Sequence, residues 1–149
     1  MKIENSHLLV EIKSSGAEMI RIYSKKTKLE YLWNGDSSYW GRHAPVLFPI
    51  VGQVKGKTYT VDGSDFHLTQ HGFARDAEFK IINQEVEEIT FELISSKETA
   101  KVYPFEFALQ ISYRLLGDQL FVNHQVINRD DKDIFFSIGG HPAFNCPLV

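Results

Sequence analysis

Two histidines stand where a proton could change hands. One is His71, in the stretch QHGFARDAE at residues 70–78. The other is His141, in GGHPAFN at residues 139–145. Each follows or precedes glycine and has a phenylalanine close by, Phe73 and Phe144. Histidine titrates near neutrality and can donate or accept a proton, which makes it the usual side chain for acid–base work. A nearby phenylalanine offers an apolar face to a sugar or another ring. Arg75 lies four residues after His71, and Arg42 is the second residue of a third unusual stretch, GRHAPVLFPIVGQ at residues 41–53. Forked guanidinium donors suit a ligand rich in hydroxyls or carrying an anion. Read alone, these residues also fit a blander role. A histidine beside glycines can cap a strand end, and Arg75 beside Asp76 can be a surface ion pair of little energetic weight.

The elements between these stretches are strands. Period-two alternation dominates. Residues 7–13 (HLLVEIK) place Leu8, Val10 and Ile12 on one side, and residues 88–95 place Ile89, Phe91 and Leu93 on one side. Residues 106–116 do the same with Phe107, Leu109, Ile111, Tyr113 and Leu115. Further short strands are predicted at 19–23, 29–33, 57–61, 66–69, 78–83, 119–128 and 134–138. Turns fall at SSGAEM, SKKTK, NGDSS, Asp62-Gly63 and Gly117-Asp118, and the hairpin loop at Asp62 either ends with Gly63 or extends through Ser64 and Asp65. Only residues 95–102 have room for a helical turn. Pro45 and Pro49 exclude a central strand from the apolar third stretch, so it must be a loop pinned on the core. Roughly ten short strands with tight turns mean an all-β, antiparallel sandwich or barrel, and the long meander after residue 78 favours large sheets. The three irregular stretches are then loops at strand ends, where binding groups sit on a rigid sheet.

Composition narrows the classes. The 149 residues suffice for one domain with a core, and the net charge of -3 is spread without a basic block, so nucleic acid is not an expected partner. No apolar run is long enough to span a bilayer, and the first residues do not read as a secretion signal, so a cytoplasmic location is expected. The one cysteine, Cys146, excludes an internal disulfide and reads as a small buried residue, not a nucleophile. His71 and His141 with an acid would be the nearest thing to a metal site. They lack the close H-x-H spacing that such sites use, so no metal is expected. The other histidines, at 7, 43, 67 and 124, read as surface or strand residues.

Taken together, RHAPVLFPIVG, QHGFARDAEF and SIGGHPAFNCPL resemble the aldose 1-epimerase family, and more narrowly the LacX-type branch of galactose mutarotase-like proteins. The likeness runs from about Leu8 to the last residue. It implies an antiparallel β-sandwich of the galactose mutarotase-like supersandwich type. It also implies interconversion of the α and β anomers of a hexose, with no cofactor. By that resemblance His141 is the acid at the ring oxygen and His71 holds the sugar near the same atom. Asn145 sits beside the acid, while Arg42 and Arg75 match arginines that contact the anionic group in a sugar-phosphate branch. Phe73 and Phe144 either line the pocket or are plain core. Gln53 stands where many LacX-type sequences carry arginine.

Family members run to about twice this length, and their glutamate base lies in the C-terminal half. Residues 1–149 are therefore expected to be one domain, the N-terminal part of a truncated sandwich, with impaired catalysis. The expected partners are a monosaccharide, either a hexose or a hexose phosphate, and a second chain met through exposed sheet edges, as in a homodimer. No membrane partner is expected. The alternative is a carbohydrate-binding β-sandwich fragment that does not catalyse.

Overall fold

A computed structural model describes residues 1–146. Pro147, Leu148 and Val149, at the end of the SIGGHPAFNCPLV stretch, lie outside the described residues. Strands β1 (Lys2–Glu4), β2 (Leu8–Ile12) and β3 (Met19–Ser24) form an antiparallel sheet in that order. The short β4 (Val46–Leu47) follows, then a hairpin of β5 (Thr58–Val61) and β6 (Ser64–His67). Strands β7 (Lys80–Gln84), β8 (Glu88–Ile94), β9 (Phe107–Leu116) and β10 (Gln119–Asn128) make the largest sheet, in the order β10-β9-β8-β7. The helical turn α1 (Lys97–Ala100) joins β8 to β9, and β11 (Gly139–Gly140) comes last. Every strand pair is antiparallel.

Alternation decides what is buried. Leu8, Val10 and Ile12 of β2 turn inward, as do Phe107, Leu109, Ile111, Tyr113 and Leu115 of β9, and all belong to one apolar cluster with Ile3, Ile89 and Phe91. The cluster lies between the three- and four-stranded sheets. The Tyr113 hydroxyl, deep in it, donates to the Ala17 carbonyl at 2.7 Å and so meets the sandwich rule that a buried polar group needs a partner. Burial pushes the Tyr113 pKa above its ordinary value. An aromatic knot of Phe48, Phe73, Tyr103 and Phe107, with centroids 5.1–6.3 Å apart, closes one end.

Four local expectations are corrected. Residues 29–33 form bridges only, Tyr23↔Glu30 and Leu32↔Phe144. Their carbonyls at Glu30 and Leu32 go to the Asn145 side chain instead of a ladder. Residues 134–138 are not a strand, because the Phe135 carbonyl accepts from Tyr103 and the Ser137 N–H donates to Pro49 O. The strand expected at 66–69 runs instead over Ser64–His67, because the Asp62-Gly63 turn has only two residues. The stretch between the two prolines is not wholly a loop, although no central strand forms there. Val46–Leu47 pairs with β11 on one side, while Phe48 bridges Gly72 on the other. The segment is only two residues long, so neither proline has to donate to the ladder.

Candidate functional site

The three irregular stretches meet on β4. Gly139 pairs with Leu47 and Gly140 with Val46. The His141 N–H donates to the Pro45 carbonyl at 3.1 Å, and the Ala143 N–H to the His43 carbonyl at 2.9 Å. From the opposite side, the Phe48 N–H donates to His71 O at 3.2 Å, and the Phe73 N–H returns to Phe48 O at 3.0 Å. The segment carrying Pro45–Pro49 is thus the hub on which both histidine loops are hung.

His71 is held by its backbone and its ring. Its φ is 65°, in the left-handed region where residues with a Cβ are uncommon. Its N–H donates to Gly52 O at 2.7 Å, and the Gly52 N–H donates back to the ring Nδ1 at 3.0 Å. Because Nδ1 accepts, the neutral ring carries its proton on Nε2, the atom left to donate to a ligand. Burial lowers the His71 pKa from its ordinary value, and the charges of Arg75 and His141 lower it further. Arg75 and His141 are thus both near enough to His71 to oppose its protonation. The next residue permits the close packing. Gly72 has φ 71°, and a Cβ there would lie 2.2 Å from Phe48 O.

Arg42 and Arg75 converge on a single carboxylate. Arg42 Nη2 is 2.6 Å from Asp76 Oδ1, and Arg75 Nε is 3.6 Å from Asp76 Oδ2. Arg75 Nη2 also donates to Gln70 O at 2.8 Å, which fixes the guanidinium beside the His71 loop. Two guanidiniums against one carboxylate leave the patch with an excess positive charge. Gln53 is exposed next to Gly52. Asn145 is committed through its Nδ2, which bridges Glu30 O at 2.9 Å and Leu32 O at 3.1 Å. Phe73 packs in the aromatic knot. Phe144 is exposed and faces a groove of about 540 Å³ lined also by His7, Ile22, Tyr31 and Leu120. A second groove, of about 520 Å³, runs beside Pro49 under the β5–β6 hairpin, lined by Tyr59, Tyr103 and Phe136. Neither groove is lined by His71 or His141; His141 is exposed and His71 half-buried.

Two residues at this face carry no sequence signal in the motifs. Glu18 is fully buried. Its Oε1 accepts the N–H groups of His43 at 2.7 Å and Ala44 at 3.0 Å, and Lys13 Nζ lies 2.6 Å from Oε2. Burial alone would raise its pKa, but these partners win and hold it below the usual value. Glu18 thereby anchors the strip whose carbonyls hold the His141 loop. Its clue in the sequence was only a lone acid in a turn, next to a buried alanine. The second is Trp40, whose ring centroid lies 5.2 Å from that of His141. Of the remaining histidines, His67 pairs with Thr58 Oγ1 across the hairpin at 3.0 Å, and His124 lies in β10 with its pKa lowered by burial. Among the described residues, no group of three or more His, Cys, Asp or Glu is placed to hold a metal ion. No helix among them is long and apolar enough to cross a membrane.

Comparison with known proteins gives one consistent answer. The sequence model of the aldose 1-epimerase family matches residues 1–148. Protein LacX (chromosomal) of Lactococcus lactis subsp. lactis is 35% identical over an alignment spanning 100% of this chain and 52% of that protein. The structure of a galactose mutarotase related enzyme from Lactobacillus acidophilus superposes with a TM-score of 0.96 at 46% identity, over 99% of this chain and 49% of that one. A galactose mutarotase-like protein from Lactobacillus casei ATCC 334 gives 0.94 at 39% identity, over 97% and 49%. The chain spans about half the length of the relatives it matches, and the described strands follow the galactose mutarotase-like fold. The chain belongs to the aldose 1-epimerase family.

Proposed function

We propose that this chain supplies one half of a site that interconverts the α and β anomers of a hexose. The observation that carries the reading is the meeting of His71, Arg75 and His141 on the β4 hub. Anomer exchange needs two proton transfers. A base takes the proton of the anomeric hydroxyl, and its electrons form the carbonyl as the C1–ring-oxygen bond breaks. An acid delivers a proton to the ring oxygen as it leaves. The C1–C2 bond rotates and the ring closes on the other face, with protons returned and no net redox change. His141, exposed at the hub, is the acid. His71, neutral with its proton on Nε2, donates a hydrogen bond to the same oxygen. Arg75 and Arg42 face the hydroxyls, or the phosphate of a hexose phosphate, and Asn145 stiffens the loop that carries the acid. The base belongs to the part of the fold that this half does not span. The work is that of a cytoplasmic enzyme of sugar metabolism.

The test is anomer exchange of galactose and glucose followed by NMR. The chain is measured alone and mixed with the polypeptide equivalent to the unspanned half of the Lactobacillus acidophilus relative. Little exchange is expected alone. In the mixture the expected rate falls by a factor on the order of 10² to 10⁴ in His141→Asn. Exchange that is indifferent to His141→Asn contradicts the acid assignment. The half-length match favours a second reading, a carbohydrate-binding module without turnover. Sugar binding with exchange at the buffer rate in every mixture selects it.

A further inference from the structure

His71 and His141 are oriented in different ways. The His71 ring is fixed by the Gly52 N–H on Nδ1. The His141 imidazole makes no hydrogen bond to any described residue, and it is exposed. An exposed side chain free to change rotamer loses entropy each time it must adopt a reactive pose. Something other than a hydrogen bond has to hold it. The ring found against it is Trp40, at 5.2 Å between centroids and 56° between planes.

Trp40 is itself tightly placed. Its N–H donates to Asp36 O at 2.8 Å, and its carbonyl accepts Trp33 Nε1 at 2.9 Å. Trp33 stacks edge-on against Tyr39 at 6.3 Å. The base of this loop is laced to the acid loop, since the Trp33 N–H donates to Ala143 O at 2.9 Å. At the other end Gly35, with φ 72°, lies against the His43 ring, so closely that a Cβ would come within 2.4 Å of a ring carbon. His43 in turn is gripped by Glu18 through its N–H at 2.7 Å. Residues 33–43 therefore form a folded wall whose indole leans on the imidazole, although their NGDSS run reads in the sequence as a plain loop.

We propose that Trp40 is the positioning residue for His141: its indole fixes the imidazole plane, and with it the direction in which the ring nitrogen meets the sugar. The role rests on the reading of His141 as the acid. It works through van der Waals contact with a large rigid face, which restricts the ring without occupying either nitrogen. Phenylalanine at position 40 would retain part of that face, and alanine none. Tyr39, 83% exposed, makes no ring contact with His141 and serves as the neighbouring control.

The experiment reads the orientation directly. Three-bond Hα–Hβ couplings of His141 report whether its first side-chain torsion is fixed or averaged. They are measured on the intact chain and on Trp40→Ala, Trp40→Phe and Tyr39→Ala, with thermal melts to confirm folding. The expected result is a single rotamer in wild type and Tyr39→Ala, averaging in Trp40→Ala, and a partial return in Trp40→Phe. In the two-half mixture, Trp40→Ala is expected to lose roughly tenfold or more in exchange rate, with Trp40→Phe between. A single His141 rotamer in a folded Trp40→Ala overturns the proposal. So does a Trp40→Ala exchange rate equal to wild type. A mixture that never exchanges sugar speaks against the functional reading instead, because the couplings are read without sugar.

Discussion

At the residue scale the fold favours an unprotonated His71. The Gly52 N–H can donate to Nδ1 only when that nitrogen keeps its lone pair. Burial, Arg75 and His141 all lower its pKa, so the unfolded chain binds the proton more readily than the folded one. Stability must therefore fall as pH drops through the ordinary histidine range, around 6.5. His124, lowered by burial, acts in the same direction. Glu18 and Glu4, whose pKa values are lowered, lose their contribution only at more acidic pH. Melting temperature measured from about pH 7 to about pH 5 should decline in wild type and decline less in His71→Gln. Equal slopes would mean that His71 is not the group under strain. His71 and His141 stand out in the sequence because each adjoins a glycine and has a phenylalanine two or three residues on. Trp40 and Glu18 were not legible. One touches His141 through a tilted ring contact across about a hundred residues of chain, the other holds backbone amides, and neither leaves a local pattern.

At the element scale the hub is a two-residue strand, and its neighbours have no room to spare. Gly72 is the most exposed to test. Alanine there would combine a left-handed backbone with a Cβ 2.2 Å from Phe48 O. The expected loss in Gly72→Ala is roughly 3 kcal/mol, from strain together with overpacking. Urea unfolding measures it, and a loss under about 0.5 kcal/mol would show that the His71 loop is not clamped as described. The long strands were readable because β9 alternates cleanly from Leu109 to Leu115. The region around β4 was harder to read. Its residues pair with partners roughly 25 and 90 positions away, Gly72 and the Gly139–Gly140 pair. Period-two alternation needs several residues to register, and a strand bounded by Pro45 and Pro49 offers two. Segments 29–33 and 134–138 misled for the opposite reason. They carry strand-like residues, but their backbone groups are taken by the Asn145 side chain, Tyr103 and Pro49.

At the scale of the whole molecule, β10 is an edge strand of ten residues, paired only with β9 among the described residues. Phe121 and Val122 on it are exposed, as are Phe135, Phe136 and Phe144 nearby in sequence. An open edge with apolar side chains is a template for another strand. We expect the chain to associate with rising concentration, through a second copy or the complementary half. Val122→Lys should move sedimentation towards the monomer by adding a charge to the edge. A monomer at every concentration in wild type would contradict this.

The most direct test of the central claim, that three separated stretches build one sugar site on β4, is a galactose titration followed by amide chemical shifts. Saturable shifts are expected at Gly52, His71, Gly139, Gly140 and His141, with weaker ones at Val46 and Leu47, and they should vanish in a folded His71→Ala, His141→Ala double variant. Saturable shifts confined to the groove around Phe144, or to the one beside Pro49 under the β5–β6 hairpin, would place the sugar elsewhere and contradict the site.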